Sequence, residues 1–271
     1  LVAHGTRRQE RRKRGRDTMR LFDAHVHLDF YENAQQVATQ AQELGLSLLA
    51  CTVTPAGYLR ATQELAGTRG VHLAAGAHPW GVADGRVGEK DVDALVSILP
   101  DLRFIGEVGL DFSPAHVGEG TQRVQVSSFE RIMRACSETS DPACPKVVSI
   151  HSVRSADVVL DVLERTGAVR SCRCIFHWFS GRPEELWRAA RMGCYFSFGE
   201  HSLATRRGRE YVREVPAELL LTETDLPAGE NVLGTAEEIA SSLERAIAKA
   251  SEVRGEDVGA LARSNAAALL A

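Results

Sequence analysis

No apolar run in this chain approaches the ~20 residues that a membrane-spanning helix requires. The basic stretch at its start leads into no apolar segment of the secretory kind either, so a cytoplasmic protein without a membrane partner is expected. C-x-x-C pairs are missing. The six cysteines, Cys51, Cys136, Cys144, Cys172, Cys174 and Cys194, sit mostly in or beside apolar strand-like runs. That spacing excludes a zinc knuckle and argues against a disulfide framework, leaving buried or half-buried free thiols as the expectation. A Gly-rich phosphate loop after the first strand-like run is also absent. His25-Val26-His27-Leu28-Asp29 stands in that place, which disfavours an open nucleotide-binding sheet.

Charge is unevenly spread. The chain has 32 basic and 36 acidic residues; residues 1–20 hold eight and two of these, leaving 24 against 34 and a body near −10. Such a body would not grip a long duplex by electrostatics alone, because that binding rests on Lys and Arg neutralising many phosphates. A phosphate-bearing substrate would need bound cations to supply the local positive field. Residues 1–18, with the block Arg7–Arg14, lack apolar periodicity and read as a basic, disordered extension, with Met19 as a credible start. Residues 19–271 then read as one domain.

Strand-like runs cover Leu21–His25, Leu46–Cys51, Val71–Ala77, Arg103–Glu107, Lys146–His151, Cys172–His177, Cys194–Phe198 and Leu219–Thr224. Helical stretches lie between them. Asn33 is placed to cap one, Pro55 and Pro183 to start two more, and Leu203–Val212 reads as a single helix. Eight strands alternating with helices predict a parallel sheet with right-handed crossovers. In about 250 residues this is the size of a (β/α)8 TIM barrel, with a doubly wound sheet as the alternative.

The strand ends carry one kind of chemistry. His25 and His27, at i and i+2 of an extended run, project from the same face. Further along stand His78, Glu107 with Asp111 four residues on, His151, His177, and Glu223 with Asp225. In a barrel these C-terminal ends converge where active sites lie. The set suits two divalent ions, Mg, Mn or Zn by donor type. Glu107 is expected to bridge them, because a carboxylate has lone pairs on both oxygens. His25, His27 and Asp225 would complete one site, and His151 and His177 the other. Asp225 can also take the proton of an attacking water. His78 and Trp178 are candidate substrate contacts, and Glu223 is placed to orient a neighbouring ligand. His72 reads as structural, and Glu200-His201, on the active face after the seventh strand, as a solvated loop pair with a substrate contact as the alternative.

Phe22–Asp29, Gly76-Ala77-His78-Pro79, Ile105–Asp111, Ile150-His151-Ser152, His177–Gly181 and Thr222–Pro227 resemble, in order, the successive motifs of the TatD family of metal-dependent deoxyribonucleases. The resemblance runs from Leu21 to about Pro227. It implies an amidohydrolase-type barrel, a divalent metal site and hydrolysis of DNA phosphodiesters, with His25, His27, Glu107, His151, His177 and Asp225 as ligands. Three positions depart from the family: Trp80 stands where a second His is usual, Trp178 where Cys is usual, and Ala228 where an aromatic residue is usual. Around Ser149–Ser152, His177–Gly181 and Met192–Ser197 the pattern is most similar to the TatD-like member, QatD, of bacterial Qat anti-phage defence systems. That likeness implies DNA, or RNA, as substrate and other proteins of a defence operon as partners. The competing readings are an amidohydrolase-type deacylase or esterase and a non-catalytic scaffold subunit. Glu107 disfavours the first, since many such enzymes bridge their metals with a modified lysine. The intact ligand set disfavours the second.

Overall fold

The computed structural model describes residues 19–114, 118 and 120–271. The expected extension at residues 1–18 lies outside them. Eight strands, β1 Leu21–Val26, β2 Leu46–Cys51, β3 Val71–Ala77, β4 Phe104–Asp111, β5 Val147–Val153, β6 Arg173–His177, β7 Tyr195–Phe198 and β8 Leu220–Thr222, follow one another in a single parallel sheet. Each is near-continuously apolar, as strands covered on both faces must be. The result is a nearly closed (β/α)8 barrel, with Phe22, Leu49, Val147, Ile175, Tyr195 and Leu221 forming its interior floor against Ala266 and Leu269 of the last helix, Val258–Leu270. No helix among the described residues is long and apolar enough to cross a membrane.

Where β8 returns to β1 the strand ladder gives way to a polar seam. The buried Asp23 carboxylate accepts from the Thr224 backbone N–H (3.0 Å) and from its hydroxyl (2.6 Å). Asp225 N–H donates to His25 O (2.9 Å), and His27 N–H donates to Leu226 O (2.8 Å). The closure of the barrel and the placement of His25, His27 and Asp225 are therefore one construction. Burial pushes the Asp23 carboxyl up to about 7, against the pull of its hydrogen bonds to Thr224 and His25.

Register shifts fall beside the same residues: between Asp23 and Val26 on β1, between Ala75 and Ala77 on β3, and between Ile105 and Val108 on β4. Such irregularities re-aim side chains, and the last one brackets Glu107. Strands pack closely here. A Cβ on Gly76 would lie 1.7 Å from Thr52 O and 2.6 Å from Glu107 N, so only glycine admits this approach.

Helix boundaries differ from the sequence expectation in instructive places. The expected helix over Leu203–Val212 is two, Glu200–Ala204 and Arg206–Glu214. Thr205 is extended and its side chain caps the second helix, accepting from Gly208 N–H (2.9 Å). Asn33 precedes the helix Ala34–Glu43, yet its side chain does not cap it; the amide instead exchanges hydrogen bonds with Gly234 N–H and O (3.1 and 2.9 Å). The short helix Pro79–Asp84 lacks the length for a periodic signal; His78 caps it and Pro79 opens it. All six cysteines are free, and only Cys144 is exposed.

Candidate metal centre

Glu107 occupies the middle of the C-terminal mouth of the barrel and is 2% exposed. Its two oxygens face different groups. Oε1 lies 2.6 Å from His151 Nδ1, 2.8 Å from His177 Nε2 and 3.3 Å from His78 Nε2. Oε2 lies 3.4 Å from both His25 Nε2 and His27 Nε2. Asp225 Oδ1 stands 3.4 Å from His27 Nε2 and 3.7 Å from His25 Nε2. Three sets of donor atoms come within 4.8 Å of one another: His25, His27 and Glu107; His25, His177 and Asp225; His78, Glu107 and His151. The six residues expected as ligands are thus brought together, and His78 joins them.

Hydrogen bonds to the far nitrogens decide what each ring offers. His27 Nδ1 lies 3.0 Å from the Cys51 carbonyl, which can only accept, so Nδ1 carries the hydrogen and the neutral ring turns its Nε2 lone pair inward. His151 is held the other way: its Nε2 donates to Asp111 Oδ2 (3.2 Å), leaving Nδ1 for the cage. His25 Nδ1 pairs with the Ser149 hydroxyl (2.8 Å). His177 Nδ1 is buried without a hydrogen-bond partner, with Glu223 Oε2 3.9 Å away. Glu223 accepts instead from Trp178 N–H (2.9 Å) and the Ser197 hydroxyl. His78 Nδ1 accepts from Trp80 N–H (3.2 Å), so its neutral ring points an N–H, not a lone pair, at Glu107. By tautomer His78 is a donor at the cavity wall, which fits substrate contact better than metal ligation.

The electrostatics ask for positive charge at the centre. His25 Nε2 and His27 Nε2 are 3.2 Å apart, with carboxylate oxygens beside both. Lone pairs so placed repel unless a proton or a metal ion sits among them. Burial, with the neighbouring His177, pulls His25 down to about 4. Burial also pulls on His27 and His151. For His27 the hydrogen bond with Asp225 and the charge of Glu107 prevail, and for His151 the charges and hydrogen bonds of Glu107 and Asp111; both rise to about 9. Burial would raise Asp225, but His27, His177 and His25 hold it at about 2, ionised at neutral pH. Burial and the charge of Asp225 push Glu223 well above the usual carboxylate range. A divalent cation replaces the protons that this cage otherwise gathers. The donor set therefore fits a metal centre, and metal uptake should release protons. We expect affinity for Mn²⁺ or Zn²⁺ to fall as pH drops below 9, by about tenfold per unit for each proton displaced. Calorimetric titrations giving the same affinity at pH 6 and pH 8 would contradict this.

Asp111 was visible in sequence only as a motif residue, yet it holds His151 in its inward tautomer. Trp80, at the position where it departs from the resembled family, donates its indole N–H to the same Oδ2 (2.6 Å), and Ser113 N–H donates to Oδ1 (2.7 Å). Asp111→Asn should weaken metal binding ~10–100-fold, the usual consequence of losing a ligand's orienting partner. Unchanged affinity in a metal titration would remove Asp111 from this role. His72 is structural, bonded to Ser47 (3.0 Å). Glu200 and His201 are not a free solvated pair: Glu200 binds Arg245 and Ser242, and His201 stacks on Trp178.

A parallel barrel with a His–carboxylate cage at its C-terminal mouth defines the class: a metal-dependent hydrolase. The chain matches the family described as TatD related DNase across residues 22–270, and it belongs to that family. Human deoxyribonuclease TATDN3 is 28% identical over 225 residues, covering 77% of this chain and 78% of the human protein. The 3′-5′ ssDNA/RNA exonuclease TatD of Citrobacter rodentium is 29% identical over 217 residues, covering 76% of this chain and 78% of its own. The structure of YJJV, a TatD homologue from Escherichia coli K12, superposes with a TM-score of 0.75 at 20% identity, covering 93% of this chain and 98% of the other.

Proposed function

We propose that the protein hydrolyses phosphodiester bonds at the ends of DNA strands, using two divalent ions held on either side of Glu107. The observation that carries this reading is the division of the Glu107 oxygens, with Oε2 toward His25 and His27 and Oε1 toward His151 and His177. His25, His27 and Asp225 would hold one ion, and His151 and His177 the other. When bound, such a pair lowers the pKa of water, polarises the phosphoryl group and stabilises the leaving oxygen.

The chain's own residues do the rest. Asp225, ionised and at the cavity wall, takes the proton of the attacking water. Burial lowers the His78 pKa, so the neutral ring offers its Nε2–H to a non-bridging phosphate oxygen. The cavity holds about 750 Å³, and Arg86 is the one Lys or Arg lining it among the described residues. A single arginine, itself paired with Asp84 (2.8 Å), does not suit a long duplex, in keeping with the exonuclease activity named for the Citrobacter protein.

End-labelled single- and double-stranded DNA and RNA, incubated with and without EDTA, test this reading. EDTA-sensitive stepwise shortening of DNA is expected; activity that survives EDTA, or no cleavage with any divalent metal, would refute it. The finer reading is a cytoplasmic nuclease of a bacterial Qat anti-phage system, acting with other proteins of its operon. It rests on the motifs at Ser149–Ser152, His177–Gly181 and Met192–Ser197. Phage plating on cells carrying the wild type or Glu107→Ala should then differ, and equal plaque counts would set the defence role aside.

A further inference from the structure

Trp178 is built as a fixed surface beside the cage. Its backbone is left-handed (φ +40), and its N–H donates to Glu223 Oε1 (2.9 Å), while the Ser197 hydroxyl donates to Oε2 of the same carboxylate. The indole is 38% exposed and lines the cavity that contains Glu107 and Asp225. His201, from the short helix Glu200–Ala204, stacks on it with ring centroids 5.2 Å apart and planes 15° from parallel. His201 in turn lines a second cavity of about 750 Å³, and Pro227 lines both cavities.

The second cavity is suited to the uncharged part of a nucleotide. Leu226, Val232 and Leu233 give it apolar walls, and Leu233 is 74% exposed. Its Arg245 is engaged by Glu200 (2.7 and 2.8 Å), while Glu237 and Glu238 add negative charge that repels phosphate.

We propose that the Trp178–His201 stack is a platform for an unpaired nucleobase adjoining the scissile bond, and that the cavity beyond Pro227 receives the next nucleoside of the same single strand. This rests on the phosphodiesterase reading above and adds to it the side chains that seat the strand beside the scissile bond. Bases have π-faces whatever their identity, so stacking of this kind is tolerant of sequence. A base seated on Trp178 has left its duplex partner and its neighbour in the stack.

The test is cleavage of short single strands by the metal-loaded protein, with an abasic residue placed in turn at each position flanking the labelled terminal linkage. Binding is measured in parallel by anisotropy on strands whose terminal linkage is a slowly cleaved phosphorothioate. For the wild type, an abasic residue at one flanking position should lower kcat/KM and affinity roughly tenfold or more. In Trp178→Ala the intact strand should suffer the same loss and the abasic strand no further one. Trp178→Phe should restore most of it. His201→Ala should raise KM with little change in kcat or metal content, and His201→Phe should rescue it. Leu233→Glu should weaken strands of three or more nucleotides but not dinucleotides. If the wild type cleaves intact and abasic strands equally, or Trp178→Ala binds as the wild type does, the platform is refuted. If the wild type binds and cleaves no nucleic acid, it is the phosphodiesterase reading that fails.

Discussion

Replacing Glu107 by alanine is expected to empty the cage of metal and to abolish hydrolysis together. Among the described residues, the carboxylate is the one group within 3.4 Å of His25, His27, His78, His151 and His177 at once. Removing it leaves Asp225 beside His25 and His27 but takes the inward carboxylate from His151 and His177, so the second half of the cage loses its charge balance and the two halves lose the group that joins them. The fall in activity should exceed ~10³-fold, since the electrostatic and pKa effects of the ions disappear together. Glu107→Gln keeps the volume and one good oxygen donor, and should retain part of the metal and little of the rate. Elemental analysis of dialysed protein, run beside a cleavage assay, checks both. Full metal content with full turnover in Glu107→Ala would displace Glu107 from the centre of the site.

Asp225→Asn should separate binding from chemistry. The asparagine keeps the side chain's size and one oxygen, but it loses the negative charge and the basic lone pair. Losing a general base typically costs ~10²–10⁴ in rate, or ~3–5 kcal/mol of barrier. The loss should therefore appear mainly in kcat, with KM for a short strand changed far less. His78→Ala should do the reverse: its N–H is not a metal donor, so metal content should persist and KM should rise. An Asp225→Asn protein that turns over at the wild-type rate would remove the proton-accepting role.

Much of this site was legible in the sequence because barrel topology converts strand order into convergence. Once the chain alternates eight apolar runs with helices, the residues ending those runs must meet at one mouth, whatever their separation in sequence. His25, His27, Glu107, His151, His177 and Asp225 could be read that way. What escaped depends on distances that alternation does not encode. Asp111 meets His151 across 40 residues, and Ser149 meets His25 across 124. His201 was placed on the active face by its position after the seventh strand, but its stacking on Trp178, from the separate short helix Glu200–Ala204, was not. The tautomer that makes His78 a donor follows from Trp80 N–H, a local cap bond that no spacing rule predicts. The seam at Asp23 escaped for a similar reason, since an acid in an apolar strand signals its partner only once Thr224 lies opposite it.

Anomalous difference maps from crystals grown with Mn²⁺ test directly the proposal that Glu107 lies between two ions. Two peaks ~3.5–4 Å apart are expected, one beside Oε2 with His25, His27 and Asp225, the other beside Oε1 with His151 and His177. A single peak, or peaks away from Glu107, would contradict it.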